Sequence, residues 1–269
     1  MSVSTPELRD AKVRYGRDGW LPLPFALSDV DVKQLRDRIE EISTQRRPEV
    51  VYEEDSPVVR ALHGCHDFDD VCHRLVRLPV FLDYAETILG GPVYVYQFKV
   101  NMKQAREGAA WPWHQDFVFW HREDGMPDPH AVNIAVFLDD VYDTNGPLEV
   151  IPGSHHLGLI DVTAESGEGP SHDWHAHVSA KLEYTVPDEV AEPLAATYGT
   201  QRFTGSAGSV VAFHPNLVHS SSNNLSDYRR SMLLITYNKV SNAPAHPTRP
   251  EFLVSRDTTP VVRVDDNHL

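Results

Sequence analysis

The apolar residues in the first third of the chain recur at helical spacing in two stretches. The first stretch carries Val32, Leu35, Ile39 and Ile42, and Ser28 precedes them as an N-cap candidate. The second stretch begins at Pro79 and ends at the glycine pair 90–91; its apolar residues are Phe81, Leu82, Ala85 and Leu89. Both stretches predict α-helices with one apolar face.

From residue 93 onward the apolar positions alternate with a period of two, which is typical of β-strands. In 93–102 the predicted faces are Tyr94, Tyr96, Phe98 and Val100 on one side and Val95, Gln97 and Lys99 on the other. Further strands are predicted at 131–138, 148–151, 209–213 and 231–237, with turn signals such as Asn145-Gly146-Pro147 between them. This pattern favours an antiparallel barrel or sandwich, with the helices of the first third covering one face.

Length and composition favour a single domain. A chain of 269 residues, 41% of them hydrophobic, is long enough for one domain with a substantial core. We expect a helical part over about 1–90, a β-sheet core over about 93–240 and a tail over 241–269. The polar, irregular stretch 163–205 is expected to form an insertion over one end of the core.

Charge and cysteine content narrow the class of protein. A formal net charge of −15 repels phosphate backbones, so nucleic acid is not an expected partner. There is no run of eighteen apolar residues that would predict a transmembrane helix, and the polar segment 1–9 has no apolar signal region. Two cysteines cannot build a disulfide framework. We expect a cytoplasmic protein, and its assembly is left open between monomer and homodimer.

The segment Trp111-Pro-Trp-His-Gln-Asp-Phe117 contains the candidate chemistry. His114 and Asp116 are two residues apart, and on a strand such residues point to the same face. A second histidine must come from elsewhere, and His219 follows the predicted strand 209–213 after a short turn. Two histidines and one carboxylate on one side of a metal leave the opposite positions open, as in non-haem iron(II) oxygenases. A His-x-Asp pair alone is also common at surface turns, so the surrounding sequence must decide whether the pair binds a metal.

Arg230 supplies that context. It follows His219 by eleven residues and begins a strand that is predicted to lie beside the strand leading to His219. A guanidinium can hold a carboxylate through two parallel hydrogen bonds, so Arg230 is a candidate for the distal carboxylate of 2-oxoglutarate. The neighbouring Arg229 points to the opposite face of a strand, so only one of the two arginines can serve.

Several segments together resemble one known family. They are Val59-Arg-Ala-Leu-His-Gly-Cys-His66, Val93-Tyr-Val-Tyr-Gln-Phe-Lys-Val-Asn101, 111–126, Asn145-Gly-Pro-Leu148, Pro152-Gly-Ser-His155, Phe213-His-Pro through His219, Arg230, Thr236-Tyr-Asn238 and 249–260. The likeness spans roughly residues 55–260, and the chain resembles the phytanoyl-CoA dioxygenase superfamily of Fe(II)/2-oxoglutarate oxygenases. Within that superfamily it is most similar to bacterial free amino-acid hydroxylases that act on proline, leucine and, more distantly, ectoine.

The resemblance implies a mainly β fold: a double-stranded β-helix (jelly roll, cupin-like) with flanking α-helices. It also implies Fe(II) as the cofactor, 2-oxoglutarate and O2 as co-substrates, and a small-molecule substrate. The implied metal ligands and catalytic residues are His114, Asp116 and His219. Because related halogenases lack the carboxylate, the presence of Asp116 implies hydroxylation.

The resemblance further places 2-oxoglutarate near Gln97, Asn133, Ser221 and Arg230, and Lys99 is a further candidate cation for it. Amide and hydroxyl donors suit its carboxylates, and the arginine suits its distal charge. The family's His-Gly-Ser is His219-Ser220-Ser221 here, which is a mild departure.

The substrate-binding residues are less well defined. Aromatic walls for a small substrate are predicted at Trp113, Phe117, Trp120 and His121. The carboxylate of a free amino acid needs a cation, and the candidates are Arg60, Lys99 and Arg122, with Asp257 as a candidate acceptor for the amine. A proline-like or aliphatic amino acid is the first interpretation. Ectoine and a larger or carrier-bound intermediate are the alternatives.

Two other classes of function compete with the oxygenase. A non-catalytic jelly-roll binding protein would not need both the triad and Arg230. A zinc hydrolase would need a general base, and no second carboxylate is placed for that role. A separate group of zinc-ligand types, His63, Cys65, His66, Cys72 and His73, fits no regular zinc-finger spacing.

Overall fold

The computed structural model describes residues 3–160 and 174–269, and within them six α-helices and eleven β-strands surround one cavity. The helices are α1 Thr5–Asp18, α2 Asp29–Ser43, α3 Asp70–Leu75, α4 Pro79–Leu89, α5 Asp116–Arg122 and α6 Asp188–Tyr198. The strands are β1 Trp20–Ala26, β2 Val50–Tyr52, β3 Val59–His63, β4 Val93–Lys103, β5 Trp111–His114, β6 Ala131–Phe137, β7 Leu148–Val150, β8 Gln201–Phe203, β9 Ser209–Phe213, β10 His219–Ser221 and β11 Arg230–Lys239.

The strands form two antiparallel sheets. The larger sheet has the order β1-β9-β6-β11-β4-β3-β2, and the smaller sheet has the order β5-β10-β7-β8. The predicted mainly β fold with flanking helices, a jelly roll, is therefore confirmed. Among the described residues no helix is both long and apolar enough to cross a membrane.

The helices of the first third cover the outer face of the larger sheet. The predicted N-cap of α2 is present, because the Ser28 side chain accepts a hydrogen bond from the Asp31 backbone N–H at 3.2 Å. Leu35 of α2 is fully buried and lies in one apolar cluster with Val132 and Ile134 of β6. Burying one such leucine stabilises the fold by roughly 1.5–3 kcal/mol.

A bulge in β4 changes which side chains share a face. The register of β4 against β11 shifts at Tyr96, an extra residue without an opposite partner. Val95 and Phe98 both pack under the helices, whereas Tyr94 and Tyr96 belong to a separate cluster. The predicted face that grouped Tyr94 and Tyr96 with Phe98 and Val100 is therefore wrong, because one inserted residue reverses the alternation.

The path of the chain between the two sheets also differs from the prediction. β6 lies between β9 and β11, so the strand of Arg230 does not border the strand 209–213. His219 does not lie at the end of the strand 209–213 either. The turn after Phe213 carries the chain into the smaller sheet, where His219 begins β10. Spacing along the chain could not reveal this change of sheet.

Several elements were not anticipated. The helix α1 and the strands β1 and β3 have no predicted counterpart; β1 contains two prolines and β3 is only five residues long, which weakens a strand signal. Of the predicted irregular insertion, residues 163–173 lie outside the described residues. The remainder contains α6 and β8, so it is not wholly irregular. In α6 only Ala191 is buried, so the helix shows no clear apolar stripe.

Replacing the buried Leu35 tests the role of the helical layer. Leu35→Ala removes a fully buried side chain from the cluster under the larger sheet. We expect the free energy of unfolding to fall by about 2–5 kcal/mol, measured by chemical denaturation. Val30→Ala in the same helix is the matched control, since Val30 is 74% exposed and should change stability by less than about 0.5 kcal/mol. Equal effects of the two variants would contradict this packing.

Candidate metal centre and active site

Strand pairing brings the two histidines of the predicted triad together. In the pairing of β10 with β5, His219 lies directly opposite His114. Opposed residues of antiparallel strands carry their side chains on the same face, and the two ring centroids are 4.1 Å apart. The smaller sheet thus supplies both imidazoles from segments that are distant in sequence.

Asp116 reaches the same point from the first position of a helix. β5 ends at His114 and α5 begins at Asp116, so the two residues do not share a strand as predicted. Gln115 between them is nevertheless extended, with φ −120° and ψ 129°, and an extended residue keeps its two neighbours on one side. One ligand atom from each of His114, Asp116 and His219 lies within 4.8 Å of the others, and all three residues are buried.

Backbone carbonyls orient both imidazoles. Nδ1 of His114 lies 2.7 Å from the Pro112 carbonyl oxygen, and Nδ1 of His219 lies 2.8 Å from that of Leu217. Each Nδ1–H therefore donates to a carbonyl, which leaves the Nε2 lone pair for a metal. Burial lowers the pKa of His114 to about 3 and also lowers the pKa of His219. Both rings are neutral near pH 7, as metal binding requires.

The Asp116 carboxylate is held by two donors. Lys99 Nζ donates to Oδ1 at 3.1 Å, and Asn133 Nδ2 donates to Oδ2 at 2.8 Å. Oδ2 also lies 3.9 Å from His219 Nε2. Burial acts to raise the pKa of Asp116, but the Lys99 ammonium and the two imidazoles outweigh it and hold the pKa below its ordinary value. The carboxylate is therefore charged and fixed in orientation, with donor chemistry that fits ferrous iron.

The triad lies in a cavity between the sheets, and the inward side chains of β4 divide that cavity into two ends. Gln97, Lys99 and Asn101 all line it, and residues 97 to 101 span about 13 Å along a strand. Lys99 in the middle contacts Asp116. Arg230 begins the neighbouring strand beyond Asn101, whereas Gln97 contacts the C-terminal segment through Leu253. The three candidate metal ligands therefore lie between the end of the cavity at Arg230 and the end formed by the C-terminal segment.

Arg230 is a buried cation at its end of the cavity. Its Nε donates to the Gly146 carbonyl oxygen at 3.0 Å, and Nη2 contacts the same oxygen. Burial lowers the pKa of Arg230 to about 10, so it stays protonated near pH 7. Arg229, in contrast, pairs with Glu40 at 2.7 Å and its side chain is 39% exposed. Of Arg229 and Arg230, it is Arg230 that lines the cavity, which agrees with the predicted alternation of these two neighbours.

Of the other predicted site residues, Gln97, Lys99, Ser221 and Trp120 line the cavity. Asn133 does not line it; it lies behind Asp116 and supports the carboxylate. Gln97 was assigned to 2-oxoglutarate by resemblance, but its Nε2 donates to the Leu253 carbonyl oxygen at 2.7 Å, at the end away from Arg230.

Six predicted substrate residues are not brought to the cavity. One of them is Asp257, which is exposed and accepts from the Thr259 backbone N–H. Arg60 does not line the cavity; it lies 3.0 Å from Glu53 and covers the Trp111 ring. Trp113 and Phe117 pack in an apolar cluster beside the cavity. His121 and Arg122 are exposed at the end of α5. For Phe117, His121 and Arg122, closeness in sequence to Asp116 did not bring the side chain to the cavity, because successive residues of a helix point in different directions.

The structure adds four polar lining residues that sequence reasoning missed: His63, Asn101, His177 and Arg249. Arg249 is buried, and its guanidinium pairs with Asp124, whose carboxylate also accepts from the Tyr96 hydroxyl at 2.5 Å. The segments that carry His63, Asn101 and Arg249 are among those that resemble the family, and this was the available signal. Nothing in the sequence around His177 indicated that it would line the cavity.

The fold and the site are those of an Fe(II)- and 2-oxoglutarate-dependent dioxygenase. The family model of phytanoyl-CoA dioxygenase matches residues 15–232, and the chain belongs to this family. The predicted enzyme class, cofactor and co-substrate are thereby confirmed.

Individual relatives agree with this placement. The chain is 71% identical to the L-proline trans-4-hydroxylase of Streptomyces griseoviridis over 269 residues, which is the whole of both proteins. It is 38% identical to an ectoine dioxygenase of Bordetella bronchiseptica over 263 residues, 94% of this chain and 84% of that one. The crystal structure of EctD from S. alaskensis with 2-oxoglutarate and 5-hydroxyectoine matches with a TM-score of 0.81 at 29% identity, covering 99% of this chain and 88% of that chain.

Removing one ligand should abolish tight metal binding. We expect Asp116→Ala and, separately, His219→Ala to weaken Fe(II) or Co(II) binding by roughly 100-fold or more, measured by anaerobic calorimetry. The second variant is included because Asp116→Ala also removes the partner of Lys99. His121→Ala is the control, since this exposed histidine contacts the Met126 carbonyl and the Phe117 ring and does not line the cavity. Undiminished affinity in either ligand variant, with a native circular dichroism spectrum, would refute the triad.

Proposed function

We propose that this dioxygenase hydroxylates an unactivated C–H bond of the free amino acid L-proline, while 2-oxoglutarate is converted to succinate and CO2. The observation that carries the proposal is one cavity with a buried arginine at each end and three metal-ligand side chains between them. A dicarboxylate and an amino acid each need a cation for a carboxylate. The name of the relative that is 71% identical favours proline among small amino acids.

We propose that His114, Asp116 and His219 hold Fe(II). When bound, the iron supplies the oxidative chemistry with O2 and 2-oxoglutarate, and the protein contributes binding, orientation and exclusion of water. Lys99 and Asn133 act as positioning residues, because each donates to one oxygen of Asp116 and so fixes which lone pair faces the metal.

The co-substrate is proposed to occupy the Arg230 end. The Arg230 guanidinium would bind its distal carboxylate, and Ser221 and Asn101 line the same end and supply hydroxyl and amide groups. The Gly146 carbonyl fixes the guanidinium plane. Gly146 itself requires glycine, since it has φ +78° and an added Cβ would lie 2.6 Å from the Ser222 carbonyl oxygen.

The substrate is proposed to occupy the opposite end. Nε and Nη2 of Arg249 donate to Asp124, which leaves Nη1 for a substrate carboxylate. Trp120, Leu182 and Leu253 supply apolar walls for a small ring. We assign Gln97 to this end rather than to the co-substrate, because it contacts Leu253.

Ectoine is the second candidate substrate. It is favoured by the 38% identity to an ectoine dioxygenase over 94% of this chain. Ectoine also carries one carboxylate on a small ring, so Arg249 would suit both molecules. Turnover of a panel of free substrates separates the two candidates.

We further propose that the enzyme works in the cytoplasm as a single-domain monomer or homodimer with no nucleic-acid partner. A reducing compartment keeps thiols reduced, and Cys65 and Cys72 are both buried and free. The net charge of −15 disfavours binding to nucleic acid.

Substrate-stimulated succinate formation tests the proposed reaction. We expect L-proline to stimulate succinate release by the Fe(II)-loaded enzyme under O2 and to yield a product that is heavier by one oxygen. L-Leucine and ectoine are assayed in parallel, with mass spectrometry of each product. Strong stimulation by ectoine alone would make ectoine, and not L-proline, the favoured substrate. Slow succinate release that no small substrate stimulates would contradict a free amino acid as the substrate.

A second prediction concerns the co-substrate arginine. Arg230→Ala should raise the KM for 2-oxoglutarate by roughly 100-fold, because it removes a buried partner of a carboxylate. Steady-state kinetics with 2-oxoglutarate as the varied component measures this change. Arg229→Ala, which alters the exposed neighbour, should leave that KM within about threefold. An unchanged KM in Arg230→Ala would contradict the assignment.

A further inference from the structure

Unsatisfied polar atoms concentrate at the cavity. Within residues 3–160 and 174–269, seven buried side-chain nitrogen or oxygen atoms have no hydrogen-bond partner. Three of them belong to cavity-lining residues: His63 Nε2, Asn101 Oδ1 and His177 Nδ1. A buried polar atom without a partner destabilises a fold by about 1–3 kcal/mol. Their concentration at one cavity indicates that a bound molecule provides the missing partners.

The two histidines are neutral hydrogen-bond acceptors. His177 Nε2 lies 3.0 Å from a Glu183 carboxylate oxygen, which can only accept, so Nε2 carries the hydrogen and Nδ1 carries the lone pair. Burial, with the nearby Lys99 and Arg249 charges, lowers the pKa of His63 to about 3, so that ring is neutral and offers a lone pair. Burial and Arg249 likewise lower the pKa of His177.

Arg249 lies near both histidines. Its charge acts on both histidines, and all three side chains line the same cavity. His63 is paired with Lys99 on the neighbouring strand, and Lys99 contacts Asp116, so His63 lies beside the candidate metal centre. A cation beside two neutral acceptors is complementary to a zwitterion, whose carboxylate faces the arginine and whose ammonium faces the lone pairs.

We propose that His63 Nε2 and His177 Nδ1 accept the two N–H bonds of the secondary ammonium of a cyclic amino acid. Two acceptors match the two donors that remain on such a ring nitrogen. The assignment rests on the proposed function and deepens it, since it identifies the residues that recognise the substrate's ammonium group by hydrogen bonding. Neither histidine is a metal ligand in this assignment; both contact the substrate.

A comparison of three ligands with decreasing numbers of N–H donors tests the assignment. L-Proline has two N–H donors, N-methyl-L-proline has one, and tetrahydrofuran-2-carboxylate has none. Their Kd values are measured by anaerobic calorimetry on the enzyme loaded with Fe(II) and 2-oxoglutarate. For the wild-type enzyme we expect affinity to fall along this series, by roughly 10-fold or more between the first and the last ligand.

The variants then locate the acceptors. His63→Leu and His177→Leu should each weaken L-proline binding by roughly 10-fold and leave the affinity for tetrahydrofuran-2-carboxylate nearly unchanged. His63→Gln and His177→Gln retain an acceptor oxygen and should restore part of the loss, which also covers the case in which a leucine variant fails to fold. His121→Leu is the surface control and should bind all three ligands as the wild-type enzyme does.

The outcomes separate the two proposals. If each histidine variant weakens all three ligands equally, or none of them, while the wild-type enzyme still hydroxylates L-proline, the ammonium assignment is overturned and the proposed function stands. If the wild-type enzyme neither binds nor hydroxylates L-proline, the proposed function fails and the assignment fails with it. Selective loss of L-proline affinity in the variants supports both.

Discussion

The site depends on one pairing between two short strands. β5 and β10 place His114 directly opposite His219, and the extended Gln115 then carries Asp116 to the same side. Neither strand exceeds four residues, and both belong to the smaller sheet, in which β10 also pairs with β7. The three candidate ligand atoms, which lie within 4.8 Å of one another, thus depend on the pairing within the smaller sheet.

The bulge in β4 determines which side chains meet the metal centre. Beyond Tyr96 the inward residues are Gln97, Lys99 and Asn101, and the outward residues pack under the helices. One strand therefore contributes to stability on one face and to the site on the other. Bulges commonly re-aim side chains near active sites, and here the bulge also lets both Tyr96 and Gln97 face the site's side of the sheet.

Three cationic side chains line the cavity although the chain as a whole is acidic. The protein carries a formal net charge of −15, yet Lys99, Arg230 and Arg249 all line the cavity. Each cation has a protein contact that fixes it: Asp116 for Lys99, the Gly146 carbonyl for Arg230 and Asp124 for Arg249. Buried charges that are already held in place bind anionic groups more strongly than exposed ones, which suits a dicarboxylate and an amino acid.

The sequence by itself predicted the class of fold, the helices α2 and α4, the main strands and the three candidate metal ligands, because periodicity and the His-x-Asp motif are local signals and the likeness to the family extends to His219. It also separated Arg230 from Arg229, since alternation along a strand is local too. The face reversal at Tyr96 and the change of sheet before His219 depended on contacts between distant segments. The same was true of His63, His177 and Arg249, which come from three separate parts of the chain and become one surface only when the sheets and the C-terminal segment pack around the cavity.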